Sequence, residues 1–274
     1  VTNVKVGDEV YSRVPEDCRG TVAEYALTTS ATVAKKPKSL SFTDSASIPL
    51  AGMTALQALE WADKRLEGGI KGKTVLIPGG LSGTGIFAVQ LAKSVFGAAK
   101  VITTLSTAKI QKAKELWGEE GIQYVDYSKS DVVSAVGKGT VDYFFDSMGT
   151  GSEYSPLVKR GGVCVSISSL PSGDTMAKNA PELPWLVKQG LNAADWWLSR
   201  KFTAAGIQYT YIFMEPSGKE LEQFSQWVDE GKITTLVGQT AKLDDIAAVR
   251  KGCQQIYDAK GGIGKFVIDV ISIE

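Results

Sequence analysis

Residues 77–93 read IPGGLSGTGIFAVQLAK, and how this stretch is read decides the fold. It follows the apolar run KTVLIP (73–78) and leads into an apolar-rich segment, helical from about Gly83 to Phe96, so strand, glycine turn and helix succeed one another. Set on the dinucleotide pattern G-x-G-x-x-G, the turn is Gly80-Leu81-Ser82-Gly83-Thr84-Gly85, with serine in place of the second glycine. That glycine ordinarily lets the backbone approach a pyrophosphate, and serine is the smallest substitution that adds a hydroxyl. Free N–H groups near Gly83 to Ile86, at the positive end of the helix dipole, suit a phosphate. The turn therefore reads as a grip for a dinucleotide.

The rhythm around the turn supports that reading. AKVITTL (99–105), IQYVDY (122–127), VDYFFDSMG (141–149) and GGVCVSISS (161–169) are short apolar runs separated by helical stretches at 107–121 and 130–137. Unbroken apolar strands of this kind belong to parallel sheets, which helices cover on both faces. IQYTYIFM (207–214) is a further strand, PSGKELEQFSQWVDEG (216–231) a helix that starts at proline and stops at glycine, and 244–259 another helix. VGDEVYSR and GTVAEYALTTSATVAKKP, within 6–37, alternate as antiparallel strands do. In SFTDSASIPLAGMTALQALEWADKR (41–65), Thr43 or Asp44 could cap a helix and Pro49 kink or restart it. Residues 171–201 break the rhythm with three tryptophans, as a lid over a cleft or a helical excursion would. The expectation is an α/β fold: a Rossmann doubly wound parallel sheet with a smaller β domain.

Bulk properties narrow the chemistry. Lysine plus arginine balances aspartate plus glutamate, 30 against 30, which gives no electrostatic case for nucleic acid or an anionic membrane. No apolar run reaches the roughly 18 residues of a membrane span. Cys18, Cys164 and Cys253 are scattered and odd in number, which suits a reducing compartment, expected to be the cytoplasm. The chain has no histidine, so Ser-His-Asp, Cys-His and His-Glu-x-x-His chemistry is excluded for these residues, and no metal site is expected. A reaction here relies on a cofactor that the protein orients.

The end of the second strand of the sheet distinguishes cofactors. An NAD site usually carries an acid there for the ribose hydroxyls. Here the residues are Thr103-Thr104-Leu105-Ser106-Thr107-Ala108-Lys109, hydroxyls and one cation without a carboxylate. Such a set suits a 2′-phosphate, so NADPH is expected.

VGDEVY, GTVAEY, SFTDSASIPLAGMTALQAL, GGLSGTGIFAVQLAK, VDYFFDSMG and GGIGKFVI follow one another as in the medium-chain dehydrogenase/reductase superfamily. The chain resembles most its zinc-free quinone oxidoreductase branch (zeta-crystallin-like) and fungal enoyl reductases, over essentially its whole length. The resemblance implies a GroES-like catalytic domain, partial here, at 1–45, connecting helices at 46–71, the Rossmann domain at 72–214 and a return to the catalytic domain at 215–274, with the cofactor between the domains. It implies Thr54 near the nicotinamide ribose, Gly80, Ser82, Gly83, Thr84 and Gly85 at the pyrophosphate, Ser106 and Lys109 at the 2′-phosphate, and Tyr127 beside the adenosine phosphate. Ser147, Met148 and Gly149 would pass under the nicotinamide, Ser168 would end the next strand in the matching place, and Lys265 would reach back to the cofactor.

The resemblance also implies about a quarter-chain before VGDEVY that this sequence lacks. The expected function is NADPH-dependent, zinc-independent hydride transfer to quinones or α,β-unsaturated carbonyls. Its alternatives are an NADPH-binding protein with little catalysis, because the catalytic domain is truncated, and a partner-dependent polyketide enoyl reductase. Tyr11, Tyr25 and Tyr143 are conceivable proton donors, as is water, and no catalytic residue is assigned. IQYTYIFM and the tryptophan segment could form a homodimer edge or a partner surface.

Overall fold

The structure is a computed structural model that describes residues 3–258 and 262–270, without the side chain of Asn179. The first strands, β1 (Val10–Ser12) and β2 (Val33–Lys35), precede the helices α1 (Phe42–Ala46) and α2 (Pro49–Asp63). Strand β3 (Thr74–Pro78), helix α3 (Gly85–Gln90), strand β4 (Lys100–Leu105) and helix α4 (Thr107–Trp117) follow. Next come β5 (Ile122–Asp126), α5 (Val132–Val136), β6 (Val141–Asp146), α6 (Gly151–Tyr154) and β7 (Val158–Ser166). The last third holds α7 (Gly173–Asn179), α8 (Trp185–Ala204), β8 (Gln208–Tyr211), α9 (Gly218–Asp229), β9 (Val237–Lys242), α10 (Ile246–Tyr257) and β10 (Lys265–Asp269).

The chain divides into two compact units, one of residues up to Ala55, Leu81–Phe87 and from Met214 on, the other of Leu56–Gly80 and Ala88–Phe213. The division passes through α2 and through the glycine turn, whereas the expected boundaries fall at 45, 71 and 214.

The second unit is built on a six-stranded sheet in the order β5-β4-β3-β6-β7-β8, parallel at every pairing. Val75, Leu76, Ile77, Val101, Phe144 and Val163 lose essentially all solvent contact, which is why these strands are apolar without alternation. The order reverses between β3 and β6, the switch point at which open α/β sheets bind ligands beyond the carboxyl ends of their strands. Helix α3 continues into a π-helical turn over Leu91–Val95, where Phe96 N–H donates to Leu91 O at 2.9 Å. Gly118, at φ 71°, ends α4 at Trp117 rather than at 121. The tryptophan segment is helical, α7 and α8, with Trp185, Trp196 and Trp197 exposed.

The first unit holds two two-stranded sheets, β1–β2 antiparallel and β9–β10 parallel. Residues 6–37 thus contribute only three-residue strands instead of the continuous antiparallel run expected there. Val22, Tyr25 and Leu27, whose alternation suggested a strand, are exposed, so no packing holds them extended. Ser41, not Thr43 or Asp44, caps α1, accepting from Asp44 N–H at 3.0 Å, and Pro49 opens α2. Helix α9 starts at Gly218, capped by Ser217, and docks on β2: Gly218 N–H donates to Ala31 O at 2.7 Å. Its Phe224 meets Phe87 edge-to-face at 6.2 Å between ring centroids. The end of the 244–259 helix, at residue 259, and the end of the carboxyl-terminal apolar run, at 271–273, lie outside the described residues.

Candidate functional site

The glycine turn begins where β3 runs out of apolar residues. Gly79 takes φ 64°, a left-handed conformation, and a Cβ there would fall 2.8 Å from Met148 Sδ. Gly80 lies so close to β4 that a Cβ would sit 2.2 Å from Thr103 Oγ1. The left-handed backbone at Gly79 and the closeness of β4 at Gly80 therefore favour glycine at these two positions.

Ser82 stands where the dinucleotide pattern has its second glycine, and its role is visible. Its carbonyl accepts from Ile86 N–H and its Oγ from Gly85 N–H, both at 3.1 Å, so it closes the turn that leads into α3 in the manner of a helix cap. Because Oγ accepts in that bond, its own proton is left for an incoming oxygen. The N–H groups of Gly83 and Thr84 have no acceptor among the described residues, as the first turn of a helix dictates.

Lys265, on β10, lies directly on this turn. A Cβ on Gly83 would be 2.7 Å from Lys265 Cδ and 3.6 Å from Nζ, and Gly264 N–H donates to Leu81 O at 2.9 Å. Among the described residues the ammonium has no ion-pair partner, and burial pushes its pKa below 10.5. Uncommitted N–H donors, a serine proton and a half-buried cation on one glycine cradle fit the pyrophosphate of a dinucleotide.

At the carboxyl ends of the central strands four of the remaining candidates lie together, Ser147, Met148, Gly149 and Ser168. Ser147 Oγ donates to Pro78 O at 3.1 Å, tying the loop after β6 to the end of β3. Met148 covers Gly79, and Gly149, at φ 77°, lies 3.8 Å from the Ser168 Cβ when given a Cβ of its own. Ser147, Met148, Gly149 and Ser168 thus form one row beside Gly79. Beneath the row lies Asp146, which the sequence reading did not single out. Its buried carboxylate accepts from Thr150 N–H at 2.8 Å, Gly151 N–H at 3.1 Å and Ser166 Oγ at 3.1 Å. The available signal was an acid at the end of an apolar strand, VDYFFD, where burial requires partners.

The end of β4 carries Ser106 as the N-cap residue of α4, with no side-chain capping bond, and its carbonyl accepts from Lys109 N–H at 2.9 Å. A second residue missed by the sequence reading lies here. Asp126, ending β5, accepts from Thr107 Oγ1 at 2.5 Å and Ser128 N–H at 2.9 Å. The Thr107 hydroxyl, foremost, holds its carboxyl below the usual range. A carboxylate therefore does stand beside the start of α4, supplied by the next strand instead of by β4. Tyr127 follows it and is exposed.

Thr54, in the middle of α2, turns its hydroxyl to Leu50 O at 2.6 Å. Of the tyrosines, Tyr11 is buried and donates to Leu221 O at 2.6 Å, and desolvation raises its pKa. Tyr143 is fully buried in β6 and has no hydrogen-bond partner among the described residues, and Tyr25 is exposed. Among the described residues no three His, Cys, Asp or Glu side chains group as a metal site would need, and no helix is long and apolar enough to cross a membrane.

Comparison with known proteins places these features in a wider set. The family model described as zinc-binding dehydrogenase matches residues 121–252. The NADPH-dependent alkenal/one oxidoreductase, chloroplastic, of Arabidopsis thaliana is 34% identical over 174 residues, which is 61% of this chain and 42% of that protein. The chain thus matches less than half the length of that plant relative. Reticulon-4-interacting protein 1, mitochondrial, of Caenorhabditis elegans is 30% identical over 275 aligned residues, 98% of this chain and 71% of that one. Among solved structures, the quinone oxidoreductase from Coxiella burnetii superposes with a TM-score of 0.76 at 27% identity, covering 99% of this chain and 74% of that one.

Proposed function

Because the chain belongs to the zinc-binding dehydrogenase family of the medium-chain dehydrogenase/reductase superfamily, we propose that it is an NADPH-dependent, zinc-independent reductase of quinones or α,β-unsaturated carbonyls. The observation that carries the proposal is the cradle at Ser82–Gly85, with the Lys265 ammonium lying on Gly83. When bound, NADPH supplies a hydride. The residues of this chain bind and orient it. Gly83 and Thr84 N–H, the Ser82 hydroxyl and Lys265 hold the pyrophosphate, while Ser106 and Lys109 face the 2′-phosphate. Ser147, Met148, Gly149 and Ser168 support the nicotinamide end, Tyr127 stands beside the adenosine phosphate, and Thr54 keeps its assignment near the nicotinamide ribose.

Quinones and enones suit a site without a metal, because conjugation spreads the negative charge that develops on the substrate oxygen and a hydroxyl or water can stabilise it. Tyr143 is too deeply buried for that task and the Tyr11 proton is engaged, which leaves Tyr25 or water to supply the proton. The scattered cysteines suit a reducing compartment, for which the cytoplasm is the simplest assignment. The edge strand β8 and the exposed tryptophans of α8 suit a homodimer.

The test is NADPH oxidation against a panel of quinones and enones, with and without a chelator. Consumption of NADPH with at least one member of the panel, unchanged by the chelator, is expected. Turnover that vanishes on chelation and returns with zinc would overturn the zinc-independent reading.

A further inference from the structure

Two loops of the row beside Gly79 are held from below by one pair of buried side chains. Ser166, fully buried at the end of β7, accepts from Ser169 N–H at 3.1 Å and from Ser168 N–H at 3.3 Å. A serine hydroxyl has two lone pairs and one proton. With both lone pairs engaged, the proton must find an acceptor, and of the two within reach, Asp146 Oδ2 at 3.1 Å is nearer than Asp146 O at 3.4 Å. The same carboxylate accepts from Thr150 and Gly151 N–H, at the far end of the loop that begins with Ser147. Asp146 donates nothing in this arrangement, and every partner it has donates to it. The charge therefore fixes the direction of the whole network: Asp146 orders the loop after β6 directly and the loop after β7 through Ser166.

Resting on the NADPH reading above, we propose that Asp146 and Ser166 are positioning residues that set Ser147–Gly149 and Ser168 for the nicotinamide half of the cofactor. Neither belongs to the adenosine end, which lies at the carboxyl ends of β4 and β5. An amide at 146 supplies one acceptor fewer and would turn an N–H toward groups that themselves donate, so it breaks the network without changing its size.

Affinities of NADPH and of 2′,5′-ADP, which carries the 2′-phosphate but no nicotinamide, separate the two ends. Asp146→Asn is expected to weaken NADPH by about tenfold or more, as for a lost buried hydrogen bond to a charged group, and to leave 2′,5′-ADP within about twofold. Ser166→Ala is expected to do the same, and the double variant to lose no more than either single, because the pair acts as one unit. Ser166→Ala leaves no unpaired buried charge and so stands in if Asp146→Asn does not fold. Loss of both ligands alike, or of neither, would overturn the inference. If the unaltered protein binds no 2′,5′-ADP at all, the NADPH reading fails, and the inference with it.

Discussion

An ammonium taken out of water and given no carboxylate is a group that gains from an anion. Among the described residues Lys265 is in that position: desolvation lowers its pKa, and its side chain lies against Gly83. A pyrophosphate stabilises the protonated lysine, so binding raises this pKa again. NADPH affinity is then constant at low pH, falls as pH rises through the depressed pKa of the free protein, and levels off above the pKa of the complex. The fall is expected to begin below 10.5, the ordinary lysine value, and Lys265→Arg should flatten it because guanidinium does not titrate there. Lys265→Met should weaken NADPH by about tenfold or more at neutral pH. Fluorescence titration across pH checks both, and a pH-independent affinity in the unaltered protein would contradict this role.

Gly80 offers a test at the same scale. Overpacking against Thr103 should make Gly80→Ala lose about 1–3 kcal/mol. The Thr103 hydroxyl is buried without a partner among the described residues, so Thr103→Ala removes an obstruction and no hydrogen bond. The double variant should be more stable than Gly80→Ala alone in thermal melts, and strict additivity would contradict the packing account. The glycines of the turn were legible in the sequence because their spacing is local. The meeting of Lys265 with Gly83, of Asp126 with Thr107 and of Asp146 with Ser166 was not, because these pairs are joined only by the crossing of separate strands.

At the scale of elements, the central strands could be read because burial on both faces leaves an unbroken apolar run. Helix starts were harder to place. Ser41, Asp131, Ser217 and Asp245 each accept from an N–H three residues on, whereas the sequence reading offered Thr43 or Asp44 for the first of these caps. Ser217→Ala should cost about 1 kcal/mol through the lost cap. The region 6–37 misled for a different reason: alternation was present, but Tyr25 and Leu27 face solvent, and β propensity follows packing more than residue type. Helix α10 rests on β10 with Gly252 against the Phe266 ring, where a Cβ would come within 2.4 Å. Gly252→Ala is therefore expected to lower the melting temperature, and Phe266→Leu in that background to recover part of the loss. No recovery would mean that the helix, not the ring, is what moves.

At the scale of the whole molecule, the strand order of the second unit reverses between β3 and β6, and in the first unit Lys265 lies on Gly83. The first unit also has a cavity of about 1040 Å³, lined by Tyr11, Arg13, Phe42, Leu50, Phe266 and Ile268 among others. The family resemblance implied the candidate cofactor residues from the order and spacing of motifs, which survive in a linear reading. On the proposed reading the choice between cofactors sets Ser106 and Lys109, at the start of α4, which favour a 2′-phosphate, against Asp126 beside Thr107, which opposes it. Titration of the protein with NADPH and NADH under identical salt and pH tests the central claim most directly. NADPH is expected to bind at least about tenfold more tightly, the worth of one charge-assisted contact, with Lys109→Ala weakening NADPH and leaving NADH nearly unchanged. Equal affinities for the two, or no binding of either, would contradict it.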